Sequence, residues 1–326
     1  ASTIVNVLKY FSGKVFDGYI RGAEVFIDIN DNLILDELEK SVISGEQGSF
    51  DRLLFSNGIL VANGGIDLDT GADLSSLTLV NKLSKYEALK LLSPFTTLLA
   101  YMDDDSIINA ALGLDPSLDL STTDPIPFLG EGIYDKMYEK GNQITSISLT
   151  LQNQAQADSS QVYFEIIADE LEESFAISQN AVDIEDPTFI SKIINKVEIS
   201  TDTTYSSEVK NNLNKVLSNT IPLLKVYPNK ITTSAVQSFV FVTMQNDIQD
   251  ASSMESNSST KISKYENNIF DYIATDQGID EKTINPNYNN VPIIESLDNF
   301  SAEENQTDIG SITASDLDGN SLIYFI

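Results

Sequence analysis

The chain has 326 residues, and its 19 basic residues stand against 49 acidic ones, which gives a net charge of −30. This charge attracts cations and repels nucleic-acid phosphates and anionic membrane faces, so we expect neither as a partner. Cys, His and Trp are absent, which excludes disulfides and thiolate or imidazole chemistry and leaves oxygen-ligated Ca²⁺ as the natural metal. No apolar run approaches the ~20 residues of a membrane-spanning helix, so we expect no membrane insertion.

Short apolar runs broken by glycine predict strands over residues 1–85. The runs IVNVL, KVFDGYI and AEVFI lie between residues 4 and 27 and are rich in Val, Ile, Phe and Tyr. Two further runs, VISGEQGSFDRLLF and GILVANGGIDLDTG, follow at residues 42–55 and 58–71. The pattern predicts an N-terminal antiparallel β-sandwich within an α+β, multidomain chain.

An acidic loop, DINDNLILDELE, occupies residues 28–39. Its first, third, fifth, ninth and twelfth places carry oxygen-bearing side chains, as in the calcium loop of an EF-hand. Its seventh residue would offer a backbone carbonyl, and its twelfth would close the shell with two oxygens. The predicted ligands are Asp28, Asn30, Asn32, Ile34, Asp36 and Glu39. Because the loop would join two strands at one edge of the sandwich, it is not a true EF-hand.

The sixth place of the loop departs from the pattern, because Leu33 stands where such loops usually have Gly. A left-handed conformation there costs a residue with a Cβ roughly 1–2 kcal/mol. The loop is then strained, differently curled or a weak binder. The alternative interpretation is a plain polar turn after the strand.

A second acidic cluster, GIDLDTGAD, contains Asp67, Asp69, Thr70 and Asp73. These residues could hold an ion, but such a cluster is more often a solvated turn.

From Tyr86 the apolar period becomes helical and predicts a bundle over residues 86–276. Ser93-Pro94 and Asp186-Pro187 read as helix starts. A long helix is predicted over residues 131–157, with a possible interruption at Gly141. The remaining predictions are a capped helix after residues 103–105, a helix with its stripe at Phe164, Ile167, Leu171 and Phe175, and helices over 206–220, 232–249 and 260–275. These stripes are predicted to be core and need no ligand.

Residues 277–290 lose periodicity and are predicted to be a linker, and a β pattern returns over residues 291–326. About 36 residues are too few for a stable sandwich. We therefore expect the fragment to end inside a domain, or to borrow strands from a neighbour.

The C-terminal stretch resembles the first half of a bacterial cadherin-like repeat. The resemblance is carried by Pro292, the ENQT run at 304–307, the GSITA run at 310–314, the DLDG element at 316–319 and the strand LIYFI. It implies that Glu304, Asp316 and Asp318 are calcium ligands near a repeat junction and that Asn290 lends an oxygen. Asn289 stands where an Asp is common in the family, which removes a charge from the junction.

Residues 13–128 resemble a module of very large bacterial surface adhesins of the RTX-adhesin kind. The matching pieces are DGYIRGAEVFIDINDNLILDELE, GGIDLDTG, LSPFTTLLA and ALGLDPSLDLSTTDPI. The resemblance implies an extracellular location at the bacterial cell surface, Ca²⁺ as cofactor, and a surface receptor or neighbouring copies as partner.

Three functions are compatible with these features to different degrees. The first is a non-enzymatic segment of a calcium-binding adhesin, stiffened by Ca²⁺ and supporting cell-surface attachment. The second is a structural subunit of an extracellular filament or surface layer assembled by strand exchange. The third, an enzyme such as a two-carboxylate glycoside hydrolase, is disfavoured because the chain lacks His, a GxSxG motif, a phosphate loop and Trp.

Overall fold

The computed structural model describes residues 10–54, 56–82, 89–157, 160–249, 259–266, 269–285, 293–294 and 313–315. Residues 1–279 form one compact unit and residues 280–326 a second. The first unit is mixed: its N-terminal part is built of sheets and the rest of it is helical. The predicted calcium ligands Asn290, Glu304, Asp316 and Asp318 lie outside the described residues.

The described residues of the first unit form three sheets. The strands are β1 (Tyr10–Val15), β2 (Ile20–Arg21), β3 (Glu24–Asp28), β4 (Ser41–Ile43), β5 (Ser49–Leu54), β6 (Ile59–Asn63), β7 (Ile66–Asp67), β8 (Thr78–Lys82) and β9 (Leu89–Leu92). The sheet orders are β5-β1-β9, β4-β3-β6-β8 and β2-β7. Every pair is antiparallel except β1 with β9. The two larger sheets contact each other where β4 meets β5 and where β8 meets β9.

Strand β9 corrects one prediction, because helix was expected from Tyr86 onward and residues 89–92 form a strand. The strand pairs parallel to β1, with Ser12 opposite Leu89 and Val15 opposite Leu92. Gly13 allows the close approach, since a Cβ there would collide with the Lys90 carbonyl. The pairing partner lies far away in the chain, so periodicity alone could not reveal it. The strand also carries the sheet past the predicted domain boundary at residue 85.

The helical part follows the predicted starts closely. Ser93 caps its helix by accepting from the Thr96 amide, with Pro94 at the first helical position, and Asp186 caps the helix that begins at Pro187. The helices are α1 (Pro94–Tyr101), α2 (Ile108–Ala111), α3 (Ile133–Ala155), α4 (Gln161–Ser178), α5 (Pro187–Thr201), α6 (Ser207–Thr220), α7 (Lys230–Ser238), α8 (Gln245–Gln249), α9 (Ser259–Glu266) and α10 (Ile269–Gln277), with a π-helical stretch, Phe239–Met244, between α7 and α8. In the described part of the chain, no helix is both long and apolar enough to cross a bilayer.

Helix α3 lies at the centre of the first unit and contacts α1, α4 and α8. It runs without a break through Gly141, where an interruption was considered possible. Gly141 packs tightly on Phe95, whose Cε2 would lie 3.3 Å from an added Cβ. Many polar side chains of α3 are buried, including Asn142, Thr145 and Gln152. Helix α3 therefore places polar side chains inside a largely apolar core.

The second unit is described over short segments. Glu281–Thr283 form a 3₁₀ turn that Asp280 caps by accepting from the Lys282 amide. Strand β10 (Ile293–Ile294) pairs antiparallel with β11 (Ala314–Ser315).

Candidate functional site

The acidic loop of residues 28–39 joins β3 to β4 at the edge of the four-stranded sheet. Its sixth residue, Leu33, adopts the left-handed conformation with φ of 57°, and Asp31 does so with φ of 67°. The Leu33 side chain is buried against Phe26, Val61 and Val80. This burial offsets the roughly 1–2 kcal/mol that the conformation costs a residue with a Cβ. The sharp turn expected of a calcium loop is thus made by an anchored leucine.

Asp28, at the first place of the loop, is buried and holds the loop's backbone in its curl. Its Oδ1 accepts hydrogen bonds from the amides of Asn30 (3.0 Å) and Asp31 (2.9 Å). Its Oδ2 accepts from the Leu33 amide at 2.6 Å. Both oxygens therefore act as acceptors for backbone N–H groups, which are the natural partners of a buried carboxylate.

Glu39, at the twelfth place, closes the loop from its other end and is also buried. Its Oε1 accepts from the Ile29 amide at 2.7 Å, and its Oε2 accepts from the Asp36 amide at 3.0 Å. The carboxylate thus links the start of the loop to its last turn.

The other three predicted side-chain ligands lie on the open side of the loop. Asp36 Oδ2 accepts hydrogen bonds from the side-chain Nδ2 groups of Asn30 (2.6 Å) and Asn32 (3.0 Å). Asn32 Oδ1 accepts from the Ile34 amide at 2.8 Å. A cavity of about 380 Å³ opens here, lined in part by Asn30, Asp36 and Glu39. All five oxygen-bearing residues are brought into one loop.

The loop holds itself together through its own N–H groups in this arrangement. Among the described residues, no group of three or more Asp, Glu, His or Cys side chains is gathered closely enough to hold a metal ion. The donor set is nevertheless all oxygen, which suits a hard cation such as Ca²⁺. Binding would require Asn30 and Asn32 to turn their carbonyl oxygens, and Asp36 its carboxylate, toward the ion.

The second acidic cluster does not converge on one point. Asp67 is buried, and its Oδ1 accepts from the amides of Asp69 (2.7 Å) and Thr70 (2.9 Å). Asp73 is exposed and accepts from the Ser75 amide, while Asp69 lies 3.9 Å from the Lys230 ammonium. Burial raises the pKa of Asp67 to about 6. The solvated-turn interpretation therefore fits Asp73 but not Asp67.

The partner of Asp67 is a residue that sequence reasoning missed. Asp17 lies in the turn between β1 and β2, and an added Cβ on its neighbour Gly18 would collide with Asp67 Oδ2. Burial raises the pKa of Asp17 well above its usual range, the Thr145 hydroxyl opposes this, and the Asp67 charge adds to it. An Asp-Gly pair after a strand is an ordinary turn signal, so nothing in the sequence marks Asp17 as buried.

A larger cavity of about 530 Å³ lies beside this acidic pair. Asp69, Tyr138 and Lys230 are among its lining residues. Burial raises the pKa of Tyr138, whose hydroxyl lies 3.4 Å from Gln237 Oε1, and the charges of Asp67 and Asp69 raise it further. The wall of this cavity nearest Asp67 is therefore negative.

Comparisons of the chain with protein-family models, with curated proteins and with solved structures find no match. A functional assignment therefore depends on the geometry of the loops described above.

Proposed function

We propose that the chain is a non-enzymatic, calcium-binding segment of an extracellular bacterial adhesin, and that the loop of residues 28–39 takes up Ca²⁺. One observation carries the proposal. Five oxygen-bearing residues at calcium-loop spacing fold into one loop, with a left-handed turn at the sixth place and its first and twelfth carboxylates, Asp28 and Glu39, buried. A polar turn needs none of these features.

Calcium would act on this chain by neutralising charge. The net charge of −30 makes the compact state repel itself, and a divalent ion relieves that repulsion locally. Extracellular modules bind Ca²⁺ with a Kd of roughly 10⁻⁴–10⁻³ M. At ten times Kd a single site adds about 1.4 kcal/mol of stability. Several such sites would stiffen an arm that presents a receptor-binding surface or contacts neighbouring copies.

The proposal extends to the C-terminal residues through their resemblance to a cadherin-like repeat. There Asn290, Glu304, Asp316 and Asp318 would add a calcium site at a module junction, in a multidomain chain. This part of the proposal is supported by the motif alone.

The test compares two isosteric charge removals in the same loop. Asp36→Asn alters the ninth place, which is a ligand position, whereas Asp31→Asn alters the fourth, which is not. Asn also tolerates the left-handed backbone at residue 31. We expect millimolar Ca²⁺ to raise the Tm of the wild type and of Asp31→Asn, and to raise that of Asp36→Asn by clearly less. In chelator the three proteins should melt within a few degrees of one another.

The proposal would be wrong for this loop if both variants kept the full calcium-dependent rise in Tm. Equal losses in both variants would also contradict it, because they would show a general effect of charge and no ligand position.

A further inference from the structure

Three separate elements of the first unit bring polar groups together in its interior. Asp17 comes from the turn after β1, Asp67 from the end of β7, and Thr145 from α3. Asp67 Oδ2 lies directly against Gly18, and Asp17 Oδ1 lies 4.0 Å from the point where a Cβ on Gly141 would stand. Thr145 follows Gly141 by about one helical turn on α3, and its hydroxyl favours the charged form of Asp17.

These groups are buried and incompletely satisfied. Asp17 and Asp67 are each 4% exposed, and Thr145 is 0% exposed. Neither Asp17 Oδ1 nor Thr145 Oγ1 has a partner at hydrogen-bond distance and angle in the part of the chain that the structure describes, although the Thr145 hydroxyl lies close enough to Asp17 to oppose the rise in its pKa. A buried polar atom without a partner costs about 1–3 kcal/mol, so two such atoms facing one region require an explanation.

The charges of the two carboxylates are also uncompensated. The Asp67 charge makes the charged form of buried Asp17 less favourable, and the Asp69 charge does the same to buried Asp67. Within the described ranges, no Lys or Arg forms an ion pair with either Asp17 or Asp67. Two buried carboxylates of like charge are unfavourable unless something positive joins them.

We propose that a divalent, oxygen-preferring cation of the Ca²⁺ class binds between the carboxylates of Asp17 and Asp67, with the Thr145 hydroxyl as a neutral ligand. The ion would cancel the two carboxylate charges and would give Asp17 Oδ1 and Thr145 Oγ1 the partner that they lack. A water molecule could satisfy the hydrogen bonds but would leave both charges in place. Hard oxygen donors of this kind suit Ca²⁺ or Mg²⁺ and exclude soft metals.

This site differs from the loop of residues 28–39 in what it would hold together. The loop ligands come from twelve consecutive residues, whereas the internal ligands come from two turns of the sheet region and from the central helix. A cation there would fasten α3 to the sheets within the first unit. The cavity lined by Asp69 and Tyr138 gives an approach for the ion, because Asp69 follows Asp67 by two residues and donates its amide to Asp67 Oδ1.

The test titrates Ca²⁺ into the chelator-treated full chain by calorimetry. We expect Asp17→Asn to lower the number of bound ions by one and Thr145→Val to weaken the same binding event. Asp73→Asn is the matched control, because this exposed acid belongs to the same sequence cluster and accepts from the Ser75 amide. Asp36→Asn, which alters the loop, should leave the internal event intact. The two proposed calcium sites are therefore tested separately.

Thermal unfolding supplies a second measurement on the same variants. In chelator, Asp17→Asn and Thr145→Val should melt at or above the wild-type temperature, since each removes a buried group that has no partner. Added Ca²⁺ should raise the Tm of both variants by less than it raises that of the wild type. Thr145→Val replaces a hydroxyl by a methyl group of similar shape, so it still gives an answer should Asp17→Asn fail to fold.

Equal ion numbers and equal calcium-dependent Tm gains in the wild type, Asp17→Asn and Thr145→Val would overturn the proposal. The proposal would also be overturned if Asp17 and Asp67 bind only protons. In that case the wild-type Tm would rise on acidification, and Ca²⁺ would not raise the Tm of Asp36→Asn. Stronger binding of Mg²⁺ than of Ca²⁺ at the Asp17-dependent site would overturn the assignment to the Ca²⁺ class.

Discussion

The two acidic turns of the N-terminal region are alike in composition and differ in electrostatic state. In the loop of residues 28–39, the buried carboxylate of Asp28 faces three backbone N–H groups. In the turn after β7, Asp67 uses one oxygen for two N–H groups and turns the other toward Gly18, beside Asp17. Asp28 thus has backbone N–H partners on both oxygens, whereas burial makes the charged form of Asp67 unfavourable and the Asp69 charge adds to this.

The difference shows that the number of acidic residues in a turn says little about its affinity for cations. A carboxylate whose oxygens already accept several N–H groups has fewer lone pairs left for an ion. A carboxylate that faces another carboxylate gains immediately from an ion or a proton. The same Asp→Asn substitution should therefore act in opposite directions at the two turns.

The largest expected effect comes from the pair Asp28→Asn and Asp67→Asn, both measured in chelator. Asn offers one acceptor oxygen, but Asp28 uses both of its own, so the buried Leu33 amide loses its partner. We expect Asp28→Asn to lower the free energy of unfolding by about 3 kcal/mol. Asp67→Asn keeps the oxygen that accepts from Asp69 and Thr70 and should be neutral or stabilising. Urea denaturation of both variants measures the two changes in unfolding free energy. Equal losses of stability would show that the two carboxylates do not differ in this way.

A second prediction concerns the anchored turn at Leu33. Leu33→Ala removes buried packing against Phe26 and Val61 but keeps the strained left-handed backbone, whereas Leu33→Gly removes the strain as well. Although Gly is ordinarily the less stable of the two, we expect Leu33→Gly to be more stable than Leu33→Ala by about 1 kcal/mol. Both should be less stable than the wild type, because a lost Leu side chain costs about 2–5 kcal/mol.

The matched control for this pair is Gln47, which also has a left-handed backbone, with φ of 57°, but is exposed. Gln47→Gly should stabilise the chain relative to Gln47→Ala by a similar amount, without the loss of packing. Urea midpoints that rank Ala above Gly at Leu33 would show that the left-handed conformation at that position costs nothing.

The parts of the fold that the sequence predicted correctly are those encoded within a few residues. Ser93 and Asp186 cap their helices through amides two or three residues away. The stripe of α4 is buried at Phe164, Ile167 and Leu171, as its spacing indicates. In each case the partners are neighbours in the chain, so spacing alone defines the geometry.

The parts that the sequence did not predict depend on partners far apart in the chain. Strand β9 has a helix-like period, yet pairing with β1 makes it a strand. Asp17 and Asp67 are fifty residues apart, and Thr145 lies still further along, so no motif joins them. A buried acidic pair of this kind follows from packing, which a single sequence does not reveal.

The last prediction concerns the pH dependence of stability that the internal pair contributes. Burial raises the pKa of Asp67 to about 6, above the roughly 3.9 of an unfolded Asp. Between these two values the folded chain holds a proton that the unfolded chain has released. The contribution of Asp67 to stability is therefore complete below about pH 4 and is lost as the pH rises through about 6. Asp17, whose pKa burial also raises, acts in the same direction, and Asp69 and Tyr138 lie nearby.

Because many other carboxylates titrate over this range, the wild-type curve alone cannot isolate the pair. The measured quantity is the difference in unfolding free energy between wild type and Asp67→Asn in chelator, from about pH 4 to about pH 7. The unfolding free energy of Asp67→Asn should rise relative to that of the wild type as the pH rises. That of Asp73→Asn, which replaces an exposed acid, should change with pH as the wild-type value does. A parallel curve for Asp67→Asn would mean that Asp67 titrates as it does in the unfolded chain. Added Ca²⁺ should shrink the gain, because an ion held between Asp17 and Asp67 replaces the proton that the pair otherwise needs.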